Sequence, residues 1–241
     1  MTLLEVVGAT VRFGGLVAVD DVALSAAAGE VTGLIGPNGA GKTTLFNVIT
    51  GLQAPTAGLV LVDGQDVTRA PAPDRARLGV ARTFQRLEVF GSMTVLDNVL
   101  TAAELRRTWT KDDLPPLEVA REVLRRAGVL AHADAMADAV PTGIARLVEL
   151  ARALALRPRL LLLDEPSSGL SPQETEAFAA LLTDLAAEGM AVLLVEHDVD
   201  LVMSVCSTVH VLDFGRVLAV GTPAEVQADP LVQQAYLGAT A

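Results

Sequence analysis

Cysteine is almost missing: among 241 residues only Cys206 carries a thiol. A lone cysteine has no partner within its own chain, so no disulfide framework is available, and the usage suits a reducing compartment. Cys206 itself reads as a small buried apolar residue within a helix. Positive charge is also short, with 18 Lys and Arg against 29 Asp and Glu and a net charge of −11. This balance argues against nucleic acid as the main partner, because a phosphate backbone demands a basic surface, although a local patch escapes such an average. No basic residue precedes Arg12 and no long apolar stretch follows the amino end, which rules out a secretory signal. Nor does any apolar run approach the ~18 residues of a membrane span, so the chain reads as soluble, although a membrane-embedded partner remains compatible with it. What is present, 51 % hydrophobic and 20 % charged residues, suffices for one large or two small domains with a substantial core.

The most informative stretch is Gly36, Pro37, Asn38, Gly39, Ala40, Gly41, Lys42, Thr43 and Thr44, which fits G-x-x-x-x-G-K-[ST] at every fixed position. It follows the apolar run Val31 to Ile35, which reads as a buried strand. Glycines here let successive N–H groups turn inward around phosphates, and the helix that starts at the end of the loop adds its positive pole. Lys42 would reach the β and γ phosphates, and Thr43 would offer its hydroxyl to Mg²⁺.

Apolar runs rich in Val and Leu, at Val31 to Ile35, Arg159 to Leu163 and Ala191 to Val195, alternate with helical stretches and predict a mostly parallel sheet covered on both faces. Between the last two lies a helix capped by Ser171, with Pro172 first, Glu174 completing a capping box and Gly189 at the stop. Its stripe of Phe178, Leu181, Leu182 and Leu185 reads as core. Thr208 to Leu212 and Arg216 to Val220 flank the turn Asp213, Phe214, Gly215 and predict a hairpin. That triplet resembles the kinase metal motif, but no H-R-D loop precedes it, so it is assigned to the turn. Thr222, Pro223 and Glu225, then Asp229 and Pro230, predict two short surface helices near the carboxyl end. From Thr94, which forms a capping box with Asp97, to about Ala139 the stripe Val95, Leu96, Val99, Leu100 and Ala103 replaces the strand pattern, broken at Pro115 and Pro116. An inserted helical subdomain follows, with residues 1–90 and 151–241 forming the core and 91–150 the insertion. Trp109, the sole tryptophan, reads as a staple against that subdomain.

The segment Leu160 to Pro166, LLLLDEP, delivers two acids to the carboxyl edge of the sheet. Adjacent carboxylates on one strand point to opposite sides and cannot share one job. Asp164 is expected to hold Mg²⁺ beside Thr43, and Glu165 to polarise the water that attacks the γ phosphorus.

With these motifs in this order the whole chain resembles the ATP-binding subunits of ABC transporters. The resemblance implies an α/β P-loop core with a mostly parallel sheet, an antiparallel β subdomain and an inserted helical subdomain. It also implies an ATPase that uses ATP and Mg²⁺. Gln85, ending ARTFQ, matches the family's glutamine that contacts Mg²⁺ at the surface gripping the membrane subunits. His197, in LVEHD, matches the histidine that contacts the γ phosphate and positions water. Phe13, in VRFGG, matches the aromatic that stacks on adenine. The implied partners are a second ATPase subunit, as homo- or heterodimer, membrane-spanning permease subunits and, indirectly, a solute-binding protein, at the cytoplasmic face of the membrane. VARTFQ, the length of the insertion and the ending GTPAEVQADPLVQQAYLG are most similar to the subunits that energise branched-chain amino-acid import. Urea importers and lipopolysaccharide exporters share much of that pattern.

Departures from the family are concentrated where its signature loop, usually LSGGQ, reads Val140, Pro141, Thr142, Gly143, Ile144. Gly143 is retained and is assigned to nucleotide binding across a dimer. Pro141 supplies neither hydroxyl nor N–H, so the site served in the opposite subunit is expected to hydrolyse slowly. Leu147 replaces an arginine, and Ser171 stands where many relatives have an aspartate. A soluble ABC ATPase would ordinarily show two cassettes or basic insertions, which this chain lacks. A GTPase would need N-K-x-D, and none of Asn38, Asn47 and Asn98 precedes a lysine. A P-loop kinase would leave the ordered set of Glu165, Gln85, Gly143 and His197 unexplained.

Overall fold

The computed structural model describes residues 1–111 and 114–238. The chain opens with a long hairpin of β1 (Thr2–Phe13) and β2 (Leu16–Ala27), followed by β3 (Val31–Ile35) and α1 (Lys42–Thr50). β4 (Ala57–Val62), β5 (Gln65–Asp66), α2 (Ala72–Arg77) and β6 (Val80–Arg82) come next. Three helices then run together, α3 (Val95–Arg107), α4 (Pro116–Arg126) and α5 (Thr142–Ala155). The remainder alternates as β7 (Leu160–Asp164), α6 (Pro172–Ala187), β8 (Ala191–Val195), α7 (Val199–Val205), β9 (Thr208–Asp213) and β10 (Arg216–Gly221), closing with α8 (Pro223–Ala228) and α9 (Pro230–Gly238). Among the described residues no helix is long and apolar enough to cross a membrane.

Two sheets result. One is antiparallel, in the order β2-β1-β4-β5; the other has the order β10-β9-β3-β8-β7-β6 and is parallel except for its β10 edge. The α/β core, antiparallel β layer and helical segment expected from the sequence are all present. Strand periodicity divides the interior. Leu161 and Leu163 face one apolar cluster shared with α3, α5 and α6, while Leu160 and Leu162 face a second shared with α1 and the antiparallel sheet. Ala191, Leu193 and Val195 join the second cluster, whereas Val192 and Leu194 join the first. A strand buried on both faces has no polar side to show, which is why these runs are continuously hydrophobic.

Helix ends follow the local chemistry. Ser171 accepts from the Glu174 N–H at 3.3 Å while the Glu174 carboxylate accepts from the Ser171 N–H at 2.7 Å, and Thr222 with Glu225 repeats the arrangement. Gly189 follows α6 with φ of 99°, a left-handed stop. Asp229 Oδ1 accepts from the Leu231 N–H at the start of α9. The pair Thr94 and Asp97 differs from the expected box. Thr94 does accept from the Asp97 N–H, but the Asp97 carboxylate takes the Thr94 hydroxyl at 2.7 Å, because aspartate is one methylene too short to reach back to the backbone.

Other expectations shift by small amounts. The strand expected at Arg159 to Leu163 runs instead over Leu160–Asp164, with Arg159 bonded to Gly79 O on the way in. Cys206 is buried but follows α7 in an extended conformation rather than lying within a helix. Trp109 is half-buried in the turn after α3, its N–H bonded to Arg106 O.

Candidate active site

The loop from Gly36 to Gly41 joins the end of β3 to the first turn of α1, and two of its glycines are sterically required. A Cβ on Gly36 would lie 2.0 Å from Leu212 O, and one on Gly41 would lie 2.5 Å from Ala18 O. Lys42 is 7 % exposed and folds back on the loop, donating to Gly36 O at 2.6 Å and Pro37 O at 3.0 Å. Burial holds its ammonium below the ordinary lysine range, opposed by the charges of Glu165 and Asp164. Asn38 to Thr44 line a cleft of about 460 Å³ together with Leu16, Val17, Ala18, Gln85, Glu165 and the turn at Phe214 and Gly215.

Asp164 ends β7 with 1 % exposure, and burial raises its pKa while Arg82 opposes the shift. Glu165 does not continue the strand. Its φ of 50° turns the chain, so the two acids diverge through a left-handed bend and not through strand alternation. Glu165 then meets both other residues expected in catalysis: Oε1 lies 2.6 Å from His197 Nε2, and Oε2 accepts from Gln85 Nε2 at 3.1 Å. The sequence reading missed Glu196, whose buried carboxylate takes the Ser167 N–H at 2.8 Å and the His197 N–H at 3.0 Å. It thereby ties the segments after β7 and β8 to each other. Adjacency to His197 was the available signal.

The hard oxygens of Thr43, Gln85 and Asp164 are donors of the kind Mg²⁺ takes. Among the described residues no cluster of three or more His, Cys, Asp or Glu could hold a metal alone. That suits an ion completed by substrate phosphates and water.

Gly143 lies elsewhere, buried in the first turn of α5, where a Cβ would come within 2.7 Å of Gly169 O. Pro141 is the N-cap and makes no side-chain cap bond. Farther along, α5 grips the segment around Gln85. Arg146 donates to Phe84 O at 2.8 Å and to Gln85 O, Glu149 accepts from the Glu88 N–H at 2.7 Å, and Arg152 donates to Glu88 O. Phe13, 48 % exposed, stands at the hairpin tip opposite Leu16 and is not among the residues lining the cleft. Phe214 is, at 88 % exposure and φ of 41°, on a turn pinned by Gly215 N–H to Ala40 O at 2.9 Å.

A family model described as ABC transporter matches residues 19–168, and one described as branched-chain amino acid ATP-binding cassette transporter matches 216–241. The high-affinity branched-chain amino acid transport ATP-binding protein BraF of Pseudomonas aeruginosa is 41 % identical, over 98 % of both chains. Its counterpart LivG of Escherichia coli is 40 % identical over the same shares. The ADP conformation of MJ1267, an ATP-binding cassette of an ABC transporter, superposes with a TM-score of 0.88 at 31 % identity, over 99 % of both chains. With a phosphate loop, an acid-ended strand and a histidine set against the next acid, Glu165, the chain belongs to the ABC transporter family as its nucleotide-binding, ATP-hydrolysing cassette.

Proposed function

We propose that the chain is one cassette, with residues 1–90 and 151–241 as nucleotide core and 91–150 as helical part, that powers import of branched-chain amino acids. It would do so from the cytoplasmic face of the membrane, paired with a second cassette and docked on permease subunits fed by a solute-binding protein. The observation that carries the catalytic reading is the convergence of Gln85 and His197 on the two oxygens of Glu165 beside the phosphate loop.

ATP enters with its phosphates in the Gly36 to Thr44 loop, and Lys42 exchanges Gly36 O and Pro37 O for the β and γ phosphates. Thr43, Gln85 and Asp164 are the residues that would hold Mg²⁺, which would supply positive charge against the transferring phosphoryl group. Glu165 orients water for in-line attack and His197 fixes that carboxylate. Phe13 remains the residue proposed to stack on adenine, and Gly143 the one that serves the partner's nucleotide. The grip of α5 on Phe84, Gln85 and Glu88 gives closure of the dimer a rigid route to the groove lined by Phe84, Phe90 and Leu105, where a permease helix would dock. Import of branched-chain amino acids is favoured over lipopolysaccharide export by the match of the carboxyl end from Arg216 onward. Co-purification with the permease subunits, followed by ATP-driven uptake of leucine into vesicles, tests this reading. Uptake of another solute with none of leucine would overturn the substrate assignment.

Pro141 adds an asymmetry. Because Pro141 offers neither hydroxyl nor N–H, the loop at Val140 to Ile144 weakens the site it completes in the partner, while this chain's own phosphate loop is intact.

A further inference from the structure

We propose that Arg82 is a positioning residue for Asp164, fixing the metal-binding carboxylate against α1 and against the segment that carries Gln85. The proposal rests on the assignment of Asp164 to Mg²⁺ and gives a role to the arginine of ARTFQ, the stretch that ends in Gln85.

Arg82 is the last residue of β6, and its side chain is 7 % exposed. All three nitrogen positions of the guanidinium are committed. Nη2 donates to Asp164 Oδ2 at 3.3 Å, Nη1 to Asn47 Oδ1 at 2.7 Å, and Nε to Thr83 O at 3.2 Å. Its Cζ lies 4.4 Å from the Phe84 ring centroid and 5.8 Å from that of Phe46. One cation therefore touches the acid at the end of β7, the phosphate-loop helix α1 through Phe46 and Asn47, and the residue preceding Gln85. A second buried arginine, Arg75, is engaged differently. Arg75 spends its donors on the carbonyls of Val48, Ile49, Thr68 and Ala70 and reaches no residue of the cleft. Such a guanidinium only closes backbone acceptors, whereas Arg82 ends on a carboxylate with a proposed task.

The geometry gives Arg82 a specific role. A fork of fixed shape holds Asp164 at a set angle to α1, which carries Thr43, so two proposed metal donors share one rigid support. Lysine would keep the charge and lose the fork and the stacking. Glutamine would keep part of the hydrogen bonding and lose the charge.

Binding of a fluorescent ATP analogue to the purified chain, measured in Mg²⁺ and again in EDTA, tests the proposal with Arg82→Lys, Arg82→Gln and Asp164→Asn. Arg82→Gln should weaken binding roughly tenfold in Mg²⁺, as supporting residues of metal sites do, and leave binding in EDTA unchanged. Arg82→Lys should fall between it and the wild type. Equal weakening in both conditions would reveal a merely structural arginine and overturn the proposal, as would wild-type binding in Mg²⁺ by both variants. If Arg82→Gln does not fold, Arg82→Lys decides alone, wild-type binding counting against the proposal. Wild-type Mg²⁺ dependence in Asp164→Asn would overturn the underlying metal assignment instead.

Discussion

Glu165 is where residue-scale choices matter most. A non-glycine residue with φ of 50° is strained, and here the strain aims a carboxylate at His197 and Gln85. Lys42→Ala should lower nucleotide affinity at least tenfold in equilibrium binding; unchanged affinity would remove Lys42 from the phosphate site. Phe13 and Phe214 present a sharper choice, since Phe13 carries the family match and Phe214 lines the cleft. Loss of a base-stacking ring weakens ATP by about 1–3 kcal/mol while sparing inorganic tripolyphosphate, which has no base. Phe13→Ala is expected to show that split, and its appearance in Phe214→Ala alone would transfer the role. At Cys206 burial pushes the thiol up to about 12, so alkylation at pH 8 should require denaturation. Rapid labelling of the native protein would contradict the buried placement.

Elements were legible in proportion to how local their causes are. The phosphate loop, the caps at Ser171 and Thr222, and the apolar strands β3, β7 and β8 are each specified within a few consecutive residues, so the sequence pattern sufficed. Arg82 and Asp164 lie 82 positions apart, and Arg146 is 62 from Phe84. Such pairs exist only once β6 lies beside β7 and α5 lies across the chain after β6, and no periodicity encodes them. The bend at Glu165 was illegible for another reason: its φ depends on the Glu165 N–H meeting Val195 O, a contact across the sheet. Two element-scale outcomes follow. Ser171→Ala removes a cap and should cost about 1 kcal/mol in denaturant unfolding. On β9, burial depresses the His210 pKa, and Nδ1 has no hydrogen-bond partner among the described residues. The unfolded chain then binds the extra proton more readily, so this residue removes stability as pH falls through its ordinary value of about 6.5. His210→Leu should therefore lose less melting temperature between pH 7.5 and 5.5 than the wild type; an equal loss would exclude His210 as the source.

For the whole molecule, the proposed function has two cassettes closing on nucleotide and passing that closure through α5 to the segment at Gln85. The degenerate loop at Pro141 predicts unequal sites. In the assembled transporter, disabling this chain's Glu165 should cost more transport than the matching change in a partner cassette whose nucleotide is served by Pro141. Equal losses would contradict the asymmetry. The central claim, that Glu165 activates water against ATP held at Lys42, is tested most directly by following nucleotide in the Glu165→Gln transporter with radiolabelled ATP. The account predicts one uncleaved ATP retained per intact site, with hydrolysis reduced at least a hundredfold. Turnover at the wild-type rate would contradict it.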